Sequence, residues 1–222
     1  MNLLASLFPS DLLWLANFFF VILFAKAAWR APWRALLANG QQVNALVGLS
    51  LGFFVFWQLN AGVRPGLNFH LIGGTLFTLL FGWQAALVDL TLMLAISFWR
   101  NGMDYLALGL NGLVMVALPV LFTEWWLRFS QRELPKTLFM FIFGNGFLCG
   151  AVTMGLTILL SSLLLVVFSH YPWVTVLHQY LVYSPPIIVV EAFATGTLIT
   201  SFTIFAPQCV SNFDDAQYLK GK

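Results

Sequence analysis

The stretch VRPGLNFHLIGGTLFTLLFGW, Val63 to Trp83, decides how the chain is read. Its first half is polar and turn-rich, with Arg64, Pro65, Gly66, Asn68 and a lone histidine, His70. After the pair Gly73-Gly74 it becomes apolar as far as Gly82. Only Gly82 separates this run from the next apolar run, Trp83–Trp99, and no polar loop lies between them. A polar mouth followed by such runs is the pattern of a chain entering a bilayer, where about 20 apolar residues make one helical crossing. The histidine and the glycines at the mouth have two explanations, close packing or a ligand.

The whole composition agrees with a membrane setting. Of the 222 residues, 60% are hydrophobic and 8% charged, and the mean hydropathy is +0.88. A soluble domain has roughly 25% charged residues, and its water-facing surface needs polar cover that this chain lacks. The apolar runs are continuous, whereas barrel strands alternate over about ten residues. We therefore expect an all-α polytopic membrane protein, residues 1–222 forming a single integral membrane domain in contact with lipid. The N-terminal stretch MNLLASLFPSDLLWLANFFFVILFAKAAWR has no basic leading region, so it reads as a span rather than a cleaved signal peptide.

The candidate spans number about seven. They are Asp11–Trp29, Val43–Asn60, the short Asn68–Phe81, Trp83–Trp99, Tyr105–Leu127, one within Thr137–Phe168, and Pro186–Ala206. An amphipathic stretch, Trp173–Tyr183, precedes the last. Orientation follows from the Lys/Arg bias of the loops. With the N-terminus outside, Lys26, Arg30, Arg34, Arg128, Arg132, Lys136, Lys220 and Lys222 lie inside, and only Arg64 and Arg100 lie outside. This predicts an outside N-terminus, a cytoplasmic C-terminus and an outer-face position for Arg64–His70. Trp29, Trp33, Trp83, Trp99, Trp125, Trp126 and Trp173 fall near segment ends, as an interfacial belt requires.

Several function classes drop out. No basic run interleaved with aromatics points to nucleic acid. Cys149 and Cys209 are isolated, with neither disulfide-framework nor metal-ligand spacing. No Gly-rich phosphate loop with its lysine is present, so energy for active transport must come from a partner or an ion gradient. No nucleophile–base constellation is visible, so an enzyme is not expected.

Ionisable groups inside spans are costly, and each is a functional hypothesis by default. His70 opens the third segment and either bonds a loop carbonyl or serves as a ligand. Asp89 sits in the fourth segment, partly hydrated, paired with an arginine, or functional. Glu124 is placed to pair with Arg128, four residues on. Glu191 lies deep in the last segment, where a hydrogen bond to a neighbouring helix and a functional role are both open. His178 is on the amphipathic stretch and reads as interfacial. The pairs Gly48/Gly52 and Gly146/Gly150 permit close helix contact, and Gly109 and Gly112 flank Asn111.

Three stretches carry a family resemblance. Phe56–Val88 has Gln58 and Asn60 before a loop, then His70, Gly73, Gly74 and Gly82. Arg100–Met115 has Asp104, then Leu108, Gly109 and Asn111. Val189–Thr200 has Glu191 before small residues. Together they resemble the substrate-capturing membrane subunits of energy-coupling-factor (ECF) importers for cobalt and nickel, the CbiM/NikM type. The resemblance implies seven helices, an outside N-terminus, and a metal gripped near the outer face. The family's ligands are the N-terminal amine, a histidine at residue two with its backbone nitrogen, and the histidine before the Gly-Gly pair, a nitrogen array suited to Ni²⁺ and Co²⁺. His70 takes the last role. Gln58, Asn60, Asn68 and Asn111 would orient the ligand or hold the loop, and Asp89 and Glu191 are the intramembrane ionisable groups. This chain has Asn2 where the family has the residue-two histidine, and Pro185-Pro186 where the family often has another histidine. The expectation is an importer subunit in the bacterial inner (plasma) membrane. It would capture a divalent transition metal, cobalt or nickel, as cargo, hold no permanent cofactor, and work with ATPase and coupling transmembrane subunits. The alternative is a non-transporting assembly subunit on the same scaffold that has lost the metal site.

Overall fold

A computed structural model describes residues 2–58, 61–64 and 66–213. Asn60, expected beside the site, lies outside the described residues. Helix α1 (Ser10–Arg30) starts behind Pro9, carries Asp11 in its first turn, and stops at Ala31 before Pro32. An acidic side chain at that end complements the helix dipole, and the residue before a proline is pushed out of helical geometry. The short α2 (Trp33–Ala38) leads into α3 (Gly40–Gln58). A small antiparallel hairpin follows, β1 (Ala61–Arg64) and β2 (Leu67–Phe69), pairing Ala61 with Phe69 and Gly62 with Asn68.

The remaining helices are long. After α4 (Gly74–Arg100), the rod Tyr105–Glu133 contains α5 (Leu108–Asn111), a π-helical stretch Gly112–Ala117, and α6 (Leu118–Glu133). The π-helical stretch Met140–Leu148 continues without a break into α7 (Cys149–Phe168). The run within Thr137–Phe168 is therefore one helix, Met140–Phe168. The amphipathic stretch forms α8 (Trp173–Gln179) and a 3-10 turn, Leu181–Tyr183. Helix α9 (Ser184–Phe205) begins on Pro185 and Pro186, positions where a missing N–H is no loss. Five helical runs among the described residues are long and apolar enough to cross a membrane: Ser10–Arg30, Gly74–Arg100, Tyr105–Glu133, Met140–Phe168 and Trp173–Phe205. Large apolar side chains such as Trp14, Phe18, Trp29 and Phe205 point outward, where lipid tails are as apolar as a protein core.

The third and fourth sequence segments are two arms of α4. The first does not begin at Asn68 as expected, because Asn68 lies in β2 and residues 70–73 form a loop. Helix starts at Gly74, so the first arm, Gly74–Phe81, rises only about 12 Å, under half a bilayer crossing. All eight of its residues are buried. The arms meet at Gly82, with φ 79° and ψ 157°, a conformation open essentially to glycine alone.

Side-chain hydrogen bonds fix where each arm runs. On α3, Phe53 packs against Gly73 and Gln42 Nε2 donates to the Leu80 carbonyl at 3.3 Å. Ser50 then bonds Asp89, and Asn101 reaches Gln58. The chain therefore descends beside α3 from the level of Phe53 to that of Gln42, turns at Gly82, and climbs back to Gln58. Two ends of the bundle result. The hairpin end holds Asn2, Leu3, β1–β2 and Asn101. The tail end holds Asn39, Gln42 and residues 207–213.

The Gly-Gly pair has a packing role at the top of the short arm. Gly73 has φ 76°, and a Cβ there would lie 2.6 Å from the Phe53 ring. Gly74 approaches Pro119 of α6 so closely that a Cβ would lie 2.8 Å away. Gly146 and Gly150 admit α9, where Gly196, Ile199 and Thr195 approach them. A Cβ at Gly48 or Gly52 would have nothing within 4 Å, so that pair makes no close helix contact among the described residues.

Candidate metal centre

His70 follows β2 directly and is 3% exposed. Its Nδ1 lies 3.0 Å from the Leu71 carbonyl oxygen. A carbonyl only accepts, so a neutral ring carries its hydrogen on Nδ1 and leaves the Nε2 lone pair free. Burial pushes the imidazole well below its ordinary pKa of 6.5, with partial compensation from the Leu71 carbonyl. A neutral imidazole is the ligating form. The Trp57 ring stands 5.2 Å from the His70 ring, centroid to centroid. Its buried Nε1 has no hydrogen-bond partner among the described residues.

Two asparagines hold the start of the chain at the hairpin end. Asn2 N donates to Asn68 Oδ1 at 2.7 Å. Leu3 N donates to Asn111 Oδ1 at 2.9 Å, and Asn111 Nδ2 donates back to the Leu3 carbonyl at 2.8 Å and to Ala107 at 2.8 Å. The Asn111 amide thus pairs with the Leu3 backbone as a neighbouring strand would. Sequence reasoning placed both asparagines near the site but gave no hint of this use. It missed Asn17 altogether, whose side chain ties α1 to the backbone of Leu106 and Gly109.

Glu191 reaches the loop from below. Its two carboxylate oxygens accept from Ile72 N and Gly73 N, each at 2.8 Å. Gly73 is the N-cap of α4 and Ile72 precedes it, so both donors lie ahead of the helical hydrogen bonds, and the carboxylate favours the positive end of the helix dipole. Irregular backbone at membrane depth survives only where protein satisfies it, and Glu191 does so two residues after His70.

The other expected residues are placed elsewhere. Asp89 bonds Ser50 through both oxygens, at 3.0 and 2.9 Å, between α3 and the long arm of α4. Gln58 caps Phe54 of its own helix and accepts from Asn101. Glu124 pairs with Arg128 at 2.7 Å, as its spacing implied. Both cysteines are free. No group of three or more His, Cys, Asp or Glu side chains gathers among the described residues.

Comparison with known proteins now bears on this geometry. The profile of the CbiM family, described as the cobalt uptake substrate-specific transmembrane region, matches residues 2–209. The chain belongs to this family. It is thus a multi-pass membrane protein of metal uptake, a transport protein rather than an enzyme. Two solved structures share this fold. A truncated transition metal transporter aligns with TM-score 0.73 and 20% identity, over 91% of this chain and 98% of that one. A second transition metal transporter aligns with TM-score 0.67 and 21% identity, over 91% and 92%. A search of curated proteins finds no match.

Proposed function

We propose that the chain is the substrate-capture subunit of an ECF importer for a divalent transition metal, cobalt or nickel. ATPase and coupling membrane subunits would supply the energy, since the chain carries no phosphate loop of its own. The carrying observation is His70, a buried imidazole with a free Nε2 on a loop that Glu191 clamps from beneath. Beside it, Asn68 and Asn111 fasten the first residues of the chain. The site is preorganised, so the ion meets a fixed nitrogen with little ordering left to do.

In this reading the hairpin end faces outward, the tail end faces the cytoplasm of a bacterial inner membrane, and the short arm of α4 counts as one of seven crossings. Arg30, Arg34 and Arg132 at the tail end support that orientation. The second reading, an assembly subunit without cargo, is favoured by Asn2 in place of an imidazole. Metal analysis of the purified protein separates the two. Wild type should retain cobalt or nickel, and His70→Ala should lose it. Equal content in both, or none in either, sinks the capture reading. Co-purification of an ATPase with the tagged chain tests the partner assignment.

A further inference from the structure

Trp57, near the end of α3, holds a hydrogen-bond donor that the chain itself does not use. The residue is 2% exposed, and its indole Nε1–H is buried with no acceptor among the described residues. An indole N–H only donates, and buried donors are nearly always paired. Left unpaired, it costs the empty protein stability that packing does not explain. The donor belongs to the ring that stands 5.2 Å from the His70 ring, tilted by 45°.

Charge supplies a use for it. A divalent ion on His70 Nε2 enters a place that is almost closed to water, and a buried charge has to be compensated. The residues at the hairpin end bring no free negative charge to it. His70 ligates as a neutral ring. Asn2 N keeps the hydrogen that it donates to Asn68 Oδ1, so it enters no metal bond as an anion. Asn68 and Asn111 are neutral amides. Glu191 has both oxygens committed to Ile72 N and Gly73 N. Asp104 is exposed and accepts from Leu106 N, and Asp11 is exposed at the start of α1. The compensating charge therefore arrives with the ion.

The distances accommodate such a companion. A metal–nitrogen bond of about 2.1 Å and a metal–oxygen bond of about 2.1 Å, followed by a hydrogen bond of about 2.9 Å, reach farther than the separation of the two ring centres. An oxygen bound to a metal on His70 is thus within range of the indole. Its N–H bonds an anionic oxygen more strongly than a neutral one. Asn2 brings no imidazole, so the ion keeps a coordination position for that oxygen.

We propose that the capture site takes its metal as a pair with a small carboxylate-type anion, and that Trp57 Nε1–H holds the anion. The inference rests on the metal-capture reading and deepens it, since it names what travels with the ion. Trp57 is a positioning residue in this scheme, bonded to the anion and not to the metal.

The test measures cobalt binding by the purified chain in perchlorate buffer, with and without acetate, at equal free cobalt. Acetate should tighten binding by wild type about tenfold, the worth of one charge-assisted hydrogen bond. Trp57→Phe keeps an aromatic ring and removes the donor. Acetate should change its affinity less than about twofold, each chain being compared with its own acetate-free value, so a loss of packing alone does not produce the result. Binding that ignores acetate, or responds equally in both chains, overturns the proposal. Should Trp57→Phe fail to fold, wild type answers alone. Dialysed against radiolabelled acetate, it should retain acetate in proportion to bound cobalt and none without cobalt, and cobalt retained without acetate overturns the proposal. No cobalt bound in either buffer sinks the capture reading together with the paired cargo, whereas cobalt binding untouched by acetate sinks the paired cargo alone.

Discussion

Replacing Glu191 with alanine should destabilise the protein far more than a surface change would. The carboxylate accepts two backbone hydrogen bonds, from Ile72 and Gly73, at 2.8 Å each. Glu191 is 2% exposed and Ile72 1%, so water does not replace the lost acceptor. A buried donor left unpaired costs about 1–3 kcal/mol, and two of them give about 2–6 kcal/mol for Glu191→Ala. Glu191→Gln keeps one acceptor oxygen and turns an amide donor toward the other N–H, so about half of that loss is expected. Equilibrium unfolding of the purified protein in mixed micelles measures both. Cobalt binding should weaken in the same order, because the clamped segment begins two residues after His70. If Glu191→Ala unfolds within about 0.5 kcal/mol of wild type, the carboxylate is not holding the loop and the account of the short arm is wrong.

Other substitutions probe the remaining ties. Asn111→Ala should expose the Leu3 backbone and cost about 2–4 kcal/mol; faster hydrogen exchange at the Leu3 amide is the readout, and unchanged exchange would contradict the latch. Gly82→Ala should cost about 1–3 kcal/mol, because φ 79° with ψ 157° is strained for any residue with a Cβ. Gly48→Ala, with open space around it, should be neutral or stabilising by up to about 1 kcal/mol, and comparable losses at both sites would refute the assigned turn. His70, its pKa lowered by burial, lets the unfolded chain take up a proton that the folded chain refuses. The stability of wild type relative to His70→Gln should therefore hold above about pH 6.5 and fall by about 1.4 kcal/mol per unit below it. A flat difference between those two chains on acidification would rule out the buried neutral ring.

Much of the architecture was legible because hydropathy is written locally. The runs of apolar residues marked the long helices, and Gly82, alone between two runs, marked the turn within α4. The start of the short arm was misplaced because the segment was drawn from Asn68 as one run, whereas β-hairpin pairing claims residues 67–69 and a loop follows as far as Gly73. Glu124 and Arg128 were found because they are neighbours on one helix. Glu191 was singled out by its charge, but its partners lie 118 and 119 residues away, a separation that no periodicity encodes. The same holds for Asn111 and Leu3.

The short arm of α4 is fastened at both ends by parts of the chain that are themselves continuous. Glu191 holds its start, while Ser211 N and Asn212 Nδ2 bond the Leu80 and Thr78 carbonyls at its finish. The segment between Glu191 and Ser211 therefore acts as a gauge whose length must match the arm. An insertion or deletion of one residue between positions 192 and 210 would rotate one fastening out of register while leaving the other seated. Relatives that keep this arm should vary freely in length in the loop around residues 134–137 and hold the interval from 191 to 211 constant.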